Sequence, residues 1–259
     1  MKNLSAGLES GRMLLGCVVT YPAPGMIERL RDDWDWFWID GQHGELGYQD
    51  MLALVRACDL AGCGSLVRVP SHEPGWIGQV MDMAPSGVIV PQVEDAVQAG
   101  QLVQAAKFPP LGNRSCGGRR PIDLLGREYA DTANRETILL VQLESPGAVA
   151  RAEEIAAVEG VDCLLIGPND VKLRLGYSMT EPRPAAEELA EIEALVKLCR
   201  EYGKLSAVFG VEGEQLASCA RLGVNLAVSG VDARFLAEGS KRLSDESRDI
   251  INRHSGENH

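Results

Sequence analysis

Four short apolar runs in this chain end in side chains that can do chemistry. WFWID closes on Asp40 and continues through Gly41 and Gln42 to His43, GSLVRVP carries Arg68, TILLVQLES reaches Glu144, and VDCLLIGPND ends at Asp170. Glu144 and Asp170 are hard oxygen donors, and two carboxylates completed by water and a chelating substrate are a usual arrangement for Mg2+ or Mn2+. Arg68 cannot shed its proton, so inside an apolar run it needs an anion, supplied by the protein or by a ligand. Histidine is the side chain best suited to exchange a proton near neutral pH, which makes His43 the candidate for that task. Together these are the parts for holding an enolate beside a carbonyl while a proton moves. Taken singly, each has an ordinary explanation. A strand-end carboxylate caps a helix or makes a turn, an arginine joins a structural ion pair, and a histidine sits on the surface. Their joint placement at four strand ends is what points to a site.

The elements that deliver them follow a repeated rhythm. Eight apolar runs, at 13–20, 36–40, 64–70, 87–93, 137–145, 161–170, 204–210 and 224–232, alternate with amphipathic stretches such as GYQDMLALVRACDLAG and PAAEELAEIEALVKLCREYG. Several of these helical stretches stop at a glycine, as at Gly62, Gly160, Gly203 and Gly223, the usual left-handed terminator. Eight β-then-α units in a row predict a (β/α)8 TIM barrel, in which active-site groups gather at the C-terminal ends of the strands. The rival, an open doubly wound sheet, usually carries a G-x-G-x-x-G turn after its first strand, and TYPAPG is not one. No linker divides the chain, so residues 1–259 read as one domain. Two segments break the rhythm: an inserted Gly/Pro/Arg-rich loop at 109–136, and a polar tail at 245–259 whose end frays. In DWDWFWID, alternation puts Trp34, Trp36 and Trp38 on one face and Phe37 and Ile39 on the other. Position counting leaves open which face packs under the helices, and the tryptophans read as packing groups.

Bulk properties narrow the functional classes. A net charge of −12, from 25 basic and 37 acidic residues, with no Lys/Arg-rich block, argues against nucleic acid as a partner. The first apolar stretch, Met13 to Val19, is too short and too late for a signal peptide, and no run of about 18 apolar residues exists. Seven cysteines without a C-x-x-C pair read as reduced thiols. The expectation is a cytoplasmic protein with no membrane span.

The motifs IDGQHG (39–44), VRVP (67–70), GVIVPQVEDAVQA (87–99), FPPLGNRS (108–115), VQLES (141–145), VEGVDCLLIGPND (158–170) and AVSGVD (227–232) resemble, in order and spacing, the HpcH/HpaI aldolase family of class II metal-dependent pyruvate aldolases. The resemblance implies a (β/α)8 barrel assembled as a homo-oligomer, a hexamer, often with the last helix exchanged between neighbours. It implies cleavage or formation of 4-hydroxy-2-oxo acids from pyruvate plus an aldehyde, with Mg2+, Mn2+ or Co2+ as the divalent metal. Glu144 and Asp170 match the metal-binding carboxylates, and Arg68 matches the arginine on the oxo and enolate oxygen. His43 matches the histidine that handles the proton of the aldol hydroxyl, and Asp40 matches a carboxylate near it. Asp82, in QVMDMAP, matches an aspartate that approaches a site across a subunit contact. Gln42 and the turn Gly167-Pro168-Asn169 fall on substrate-binding positions, with the amides around Gly167 to Asp170 receiving the pyruvate carboxylate. No lysine stands at a matching strand end, Lys172 lying just past the sixth, which disfavours a Schiff base.

This chain departs from the family pattern at several places. Gln42 stands where Glu is usual, Ala84-Pro85 where Gly-Ala is common, and Val171-Lys172 where Leu-Ser follows the metal aspartate. GNRSCGGRRP adds Arg119 and Arg120 near Arg114. That arginine cluster fits an acidic substrate, and equally fits structural ion pairing or a subunit contact. Two alternatives stand beside the aldolase. One is an acyl-CoA lyase of the citrate-lyase β-subunit type, from which DGQHG points away. The other is a barrel that binds a small 2-oxo acid without turnover, which Gln42 motivates.

Overall fold

The computed structural model describes residues 4–255. Eight strands follow one another round a closed barrel: β1 (Leu14–Val19), β2 (Trp36–Asp40), β3 (Gly64–Arg68), β4 (Gly87–Val90), β5 (Ile138–Leu143), β6 (Cys163–Ile166), β7 (Leu205–Phe209) and β8 (Leu226–Val231). All neighbours are parallel, and β8 pairs back onto β1. The eight-unit rhythm of the sequence is thus a (β/α)8 barrel. The helices are α1 (Leu4–Glu9), α2 (Pro24–Leu30), α3 (Tyr48–Ala61), α4 (Pro74–Met81), α5 (Ala96–Ala106), α6 (Arg119–Leu125) and α7 (Tyr129–Glu136). They continue with α8 (Pro146–Ala150), α9 (Ala152–Ala156), α10 (Pro168–Arg174), α11 (Ala185–Glu201), α12 (Gly213–Leu222) and α13 (Asp232–Ser255).

Strands in such a barrel are buried on both faces, which is why they read as continuous apolar runs. Side chains alternate between the barrel interior and the layer beneath the helices. Trp36 and Trp38 point inward with Leu66, Leu140 and Leu165. Phe37 and Ile39 point outward and pack against Met51, Leu54 and Val55 of α3. The question of which face lies under the helices is settled: Trp36 and Trp38 fill the barrel, whereas Trp34, expected on the same face, precedes the strand and packs with the outer core. Gly16 makes room for Trp36, since a Cβ there would stand 2.3 Å from its ring. The Trp36 indole donates to the Leu14 carbonyl at 3.3 Å. Leu4, from the short α1, joins the same interior cluster. Trp34 precedes β2 and stacks on Phe235 of α13, with ring centroids 5.8 Å apart.

The 109–136 segment, read from its composition as a loop, contains α6 and α7 around a small core of Phe108, Tyr129 and Ala133. Its arginines are engaged within the chain. Arg114 pairs with Asp82 at 2.9 Å, Arg119 with Asp123 at 2.8 Å, and Arg120 with Asp59 and the Met83 carbonyl. Asp59 and Asp82 lie at the ends of α3 and α4, which in a parallel barrel is the side where strands begin. Of the explanations open for these arginines, structural ion pairing is the one the fold displays. Residues 245–255 continue α13 as helix, and the rest of the expected tail, 256–259, lies outside the described residues. Leu236, Leu243 and Ile250, spaced seven apart on α13, are exposed. No helix among the described residues is long and apolar enough to cross a membrane.

Candidate active site

Register brings Asp40 of β2 and Arg68 of β3 side by side, both inward-facing. The guanidinium grips the carboxylate at two points, Nε to Oδ1 at 2.8 Å and Nη2 to Oδ2 at 2.6 Å. Such fork-to-fork contacts fix orientation as well as charge. Nη1 donates to Gln142 Oε1 at 3.4 Å, and the guanidinium lies 5.1 Å from the Trp38 ring centroid. The anion that Arg68 needs is therefore inside the protein, with guanidinium donors left over for a ligand oxygen. Asp40 Oδ1 also accepts the Gln42 and His43 amides, at 3.0 and 3.2 Å, so the same carboxylate folds the turn that carries His43. Burial pushes the Asp40 carboxyl up, but Arg68 and the two amides outweigh it and hold it below the usual carboxylate range.

Across the barrel mouth, Glu144 follows β5 and Asp170 sits in the first turn of α10, after β6. Glu144 is buried, and its Oε2 accepts the Gln92 amide at 2.8 Å. Burial first, and the neighbouring Asp170 second, push the Glu144 carboxyl above its ordinary value, against the pull of the Gln92 amide, Arg68 and Arg174. Gly167 lies against Glu144, and a Cβ there would stand 2.6 Å from Glu144 Cγ. Two neighbouring carboxylates, one of them buried and packed against Gly167, suit a hard divalent cation. No cluster of three or more His, Cys, Asp or Glu side chains forms a ready cage among the described residues.

The remaining predicted residues divide. His43 is exposed on the rim, and Gln42 beside it is part-buried, with its Oε1 lacking a hydrogen-bond partner. Trp38 Nε1, beneath Arg68, is likewise buried without one. A rim with one orphaned acceptor and a floor with one orphaned donor leave polar work for a ligand or water. At the β6 end the expectation of free amides from Gly167 onward is corrected. The Gly167 amide is spent on the Leu143 carbonyl at 2.9 Å, and Pro168 has none. Only Asn169 and Asp170 offer first-turn amides with no earlier carbonyl in the helix to bond. Asp82 is not gathered with the others. It closes α4 at the opposite end of the barrel, held by Arg114. Lys172 turns away to the Met179 carbonyl at 3.0 Å.

Several participants lay outside the sequence expectations. Gln142 shares the inward face with Glu144, two residues on, and that parity was its available signal. Asp232, fully buried at the start of α13, accepts from Thr20 N and Oγ1, both at 2.7 Å, and from Tyr21 N at 3.0 Å, closing the rim where β8 meets β1. Glu94 ties the loops together by bonding Ser145 and Arg174.

The family model for HpcH/HpaI aldolase/citrate lyase matches residues 19–238. The chain belongs to the HpcH/HpaI aldolase/citrate lyase family. It is 31% identical to a 4-hydroxy-2-oxovalerate aldolase of Novosphingobium aromaticivorans, over 93% of this chain and 92% of the relative. It is 30% identical to a hydroxypyruvate/pyruvate aldolase of Roseovarius nubinhibens, over 92% of this chain and 93% of the relative. Among solved structures, an HpcH/HpaI aldolase/citrate lyase family protein from Burkholderia cenocepacia superposes with a TM-score of 0.84 at 26% identity, over 95% of this chain and 98% of that one. This HpcH/HpaI member keeps the residues that motivated the resemblance on one rim, Asp82 excepted.

Proposed function

We propose that this chain is a metal-dependent aldolase that cleaves or forms 4-hydroxy-2-oxo acids through a pyruvate enolate. The observation that carries this reading is the buried Glu144 beside Asp170, across the barrel mouth from an Arg68 already neutralised by Asp40. The relatives named as aldolases support the same class. Glu144 and Asp170 would hold Mg2+, Mn2+ or Co2+. When bound, such a cation supplies Lewis-acid charge to the substrate carboxylate and 2-oxo oxygen.

In the cleavage direction His43 takes the proton of the 4-hydroxyl. The C3–C4 bond then breaks, its electron pair passes into the pyruvate enolate, and the aldehyde leaves; a proton taken up at C3 from solvent completes pyruvate. Arg68 donates to the oxygen on which that charge develops, and Asp40 keeps the guanidinium from turning away. The Asn169 and Asp170 amides face the carboxylate, and Gln42 offers its unpaired oxygen to a hydroxyl. In the forming direction His43 returns the proton to the new alkoxide.

The chain works as a homo-oligomer, a hexamer in this reading, with α13 packing its exposed stripe on a neighbouring copy and Asp82 reaching a neighbour's site. Light scattering on the full chain should return about six times the 27.9 kDa monomer; a monomer in dilute solution would refute the assembly. In this reading the reaction runs in the cytoplasm. The activity is tested by stripping divalent metal with a chelator and following pyruvate release from a panel of 4-hydroxy-2-oxo acids. Release should vanish on stripping and return with Mg2+, Mn2+ or Co2+. Turnover that survives complete metal removal would end the proposal.

A further inference from the structure

We infer that His72 is a positioning residue for Glu144, acting through the peptide that joins Pro91 to Gln92. His72 lies in the loop after β3, apart from the groups assigned above, and its ring is part-buried. His72 Nε2 meets the Pro91 carbonyl, while the amide of the same peptide unit, the Gln92 N–H, holds Glu144 Oε2 at 2.8 Å. One peptide plane is thus gripped at both ends, by the imidazole on one side and the carboxylate on the other.

The hydrogen-bond directions close without ambiguity. The Glu94 amide can only donate, so the side-chain atom of Gln98 that it meets at 2.8 Å is Oε1. The other atom of that amide is then Nε2, a donor, and it faces His72 Nδ1 at 2.6 Å. Nδ1 must therefore accept, which puts the ring proton on Nε2, where the Pro91 carbonyl can only accept. Gln98 is itself anchored by its backbone amide, which the helix-capping Asp95 receives at 2.8 Å.

The peptide needs such a grip. Gln92 has φ of +53°, a left-handed conformation that costs a non-glycine residue. A rotation of the Pro91–Gln92 plane would withdraw the N–H from Glu144. Hydrogen-bond partners one step beyond a metal ligand orient it and tune its basicity. A loop staple with no influence on Glu144 would use the same contacts, and metal affinity separates the two roles.

The inference rests on Glu144 being a metal ligand, and the test treats the two separately. Mn2+ binding to the full chain is measured from the loss of the free Mn2+ paramagnetic resonance signal, for wild type, His72→Phe, His72→Gln, Gln98→Met and Glu144→Gln. His72→Phe keeps the ring shape without a donor and should bind Mn2+ about 10-fold more weakly. His72→Gln can place an amide N–H near the Pro91 carbonyl and should recover most of that loss. Gln98→Met frees the ring's orientation and should weaken binding in the same direction. Wild-type affinity in His72→Phe, or equal loss in the Phe and Gln variants, overturns the inference. Should the Phe variant not fold, unchanged affinity in Gln98→Met overturns it. A Glu144→Gln chain that binds Mn2+ like wild type removes the metal reading and this inference with it. Impairment in Glu144→Gln beside an unimpaired His72→Phe removes this inference alone.

Discussion

Arg68→Met should lower kcat for cleavage by about 10^2 to 10^3-fold, the usual worth of a donor aimed at a developing oxyanion. Lysine should not substitute well, because the guanidinium grips Asp40 at two points and still has donors to spare. The same change strands Asp40, a buried carboxylate, so a stability loss of about 3–5 kcal/mol is expected, reduced by the two amides that still cap it. The pH profile identifies the cause. In the wild type Asp40 is held below the usual carboxylate range, so its contribution is present above that range and is lost as pH falls through the lowered value. Without Arg68, burial dominates, and the stranded carboxyl should instead destabilise the fold as pH rises. Denaturant unfolding across pH 4 to 8 reads this reversal. Adding Asp40→Asn should restore stability and leave turnover lost, separating the structural duty of the pair from the chemical one. A variant with wild-type kcat would remove Arg68 from the enolate.

The second large effect falls on Glu144→Gln. A Lewis-acid site is worth several kcal/mol, so kcat should drop about 10^3-fold at a fixed metal concentration, equivalent to about 4 kcal/mol. Burial and Asp170 hold the Glu144 carboxyl above its ordinary value. A raised acid contributes stability that is present at low pH and lost as pH rises through the raised value. The metal-free glutamine variant carries no such charge and should therefore be more stable than the metal-free wild type at neutral pH. Metal affinity runs the opposite way: in the wild type it should weaken as pH falls and the proton competes, and the variant should lose that dependence. Equal metal-free stability, together with an unchanged pH profile of metal binding, would show that Glu144 does not carry this charge.

Much of the scaffold was legible because barrel strands announce themselves. Burial on both faces made the runs apolar, and the charged residues that ended them stood out at the rim. Arg68 inside VRVP signalled a missing anion. The sequence could not say that Asp40 supplies it, because their adjacency depends on register between β2 and β3. α6 and α7 were hidden for another reason. Helices of seven and eight residues are too short to show a helical period, and the glycines and prolines that surround them mimic a loop. His72 and Gln92 carry no periodic signal at all. What unites them is a peptide plane, visible only once the loops after β3 and β4 lie side by side.

Trp38 lies one inward residue below Asp40 on β2, its ring under the Arg68 guanidinium and edge-on to Phe209 at 5.6 Å. The indole therefore sits in the electric field of the guanidinium proposed to receive the substrate's oxygen. Anything that draws Arg68 upward or neutralises it changes the field across that chromophore. The barrel thus carries a native fluorophore beneath its mouth, and under the proposed function the arrival of a 2-oxo acid should register in its emission without a label.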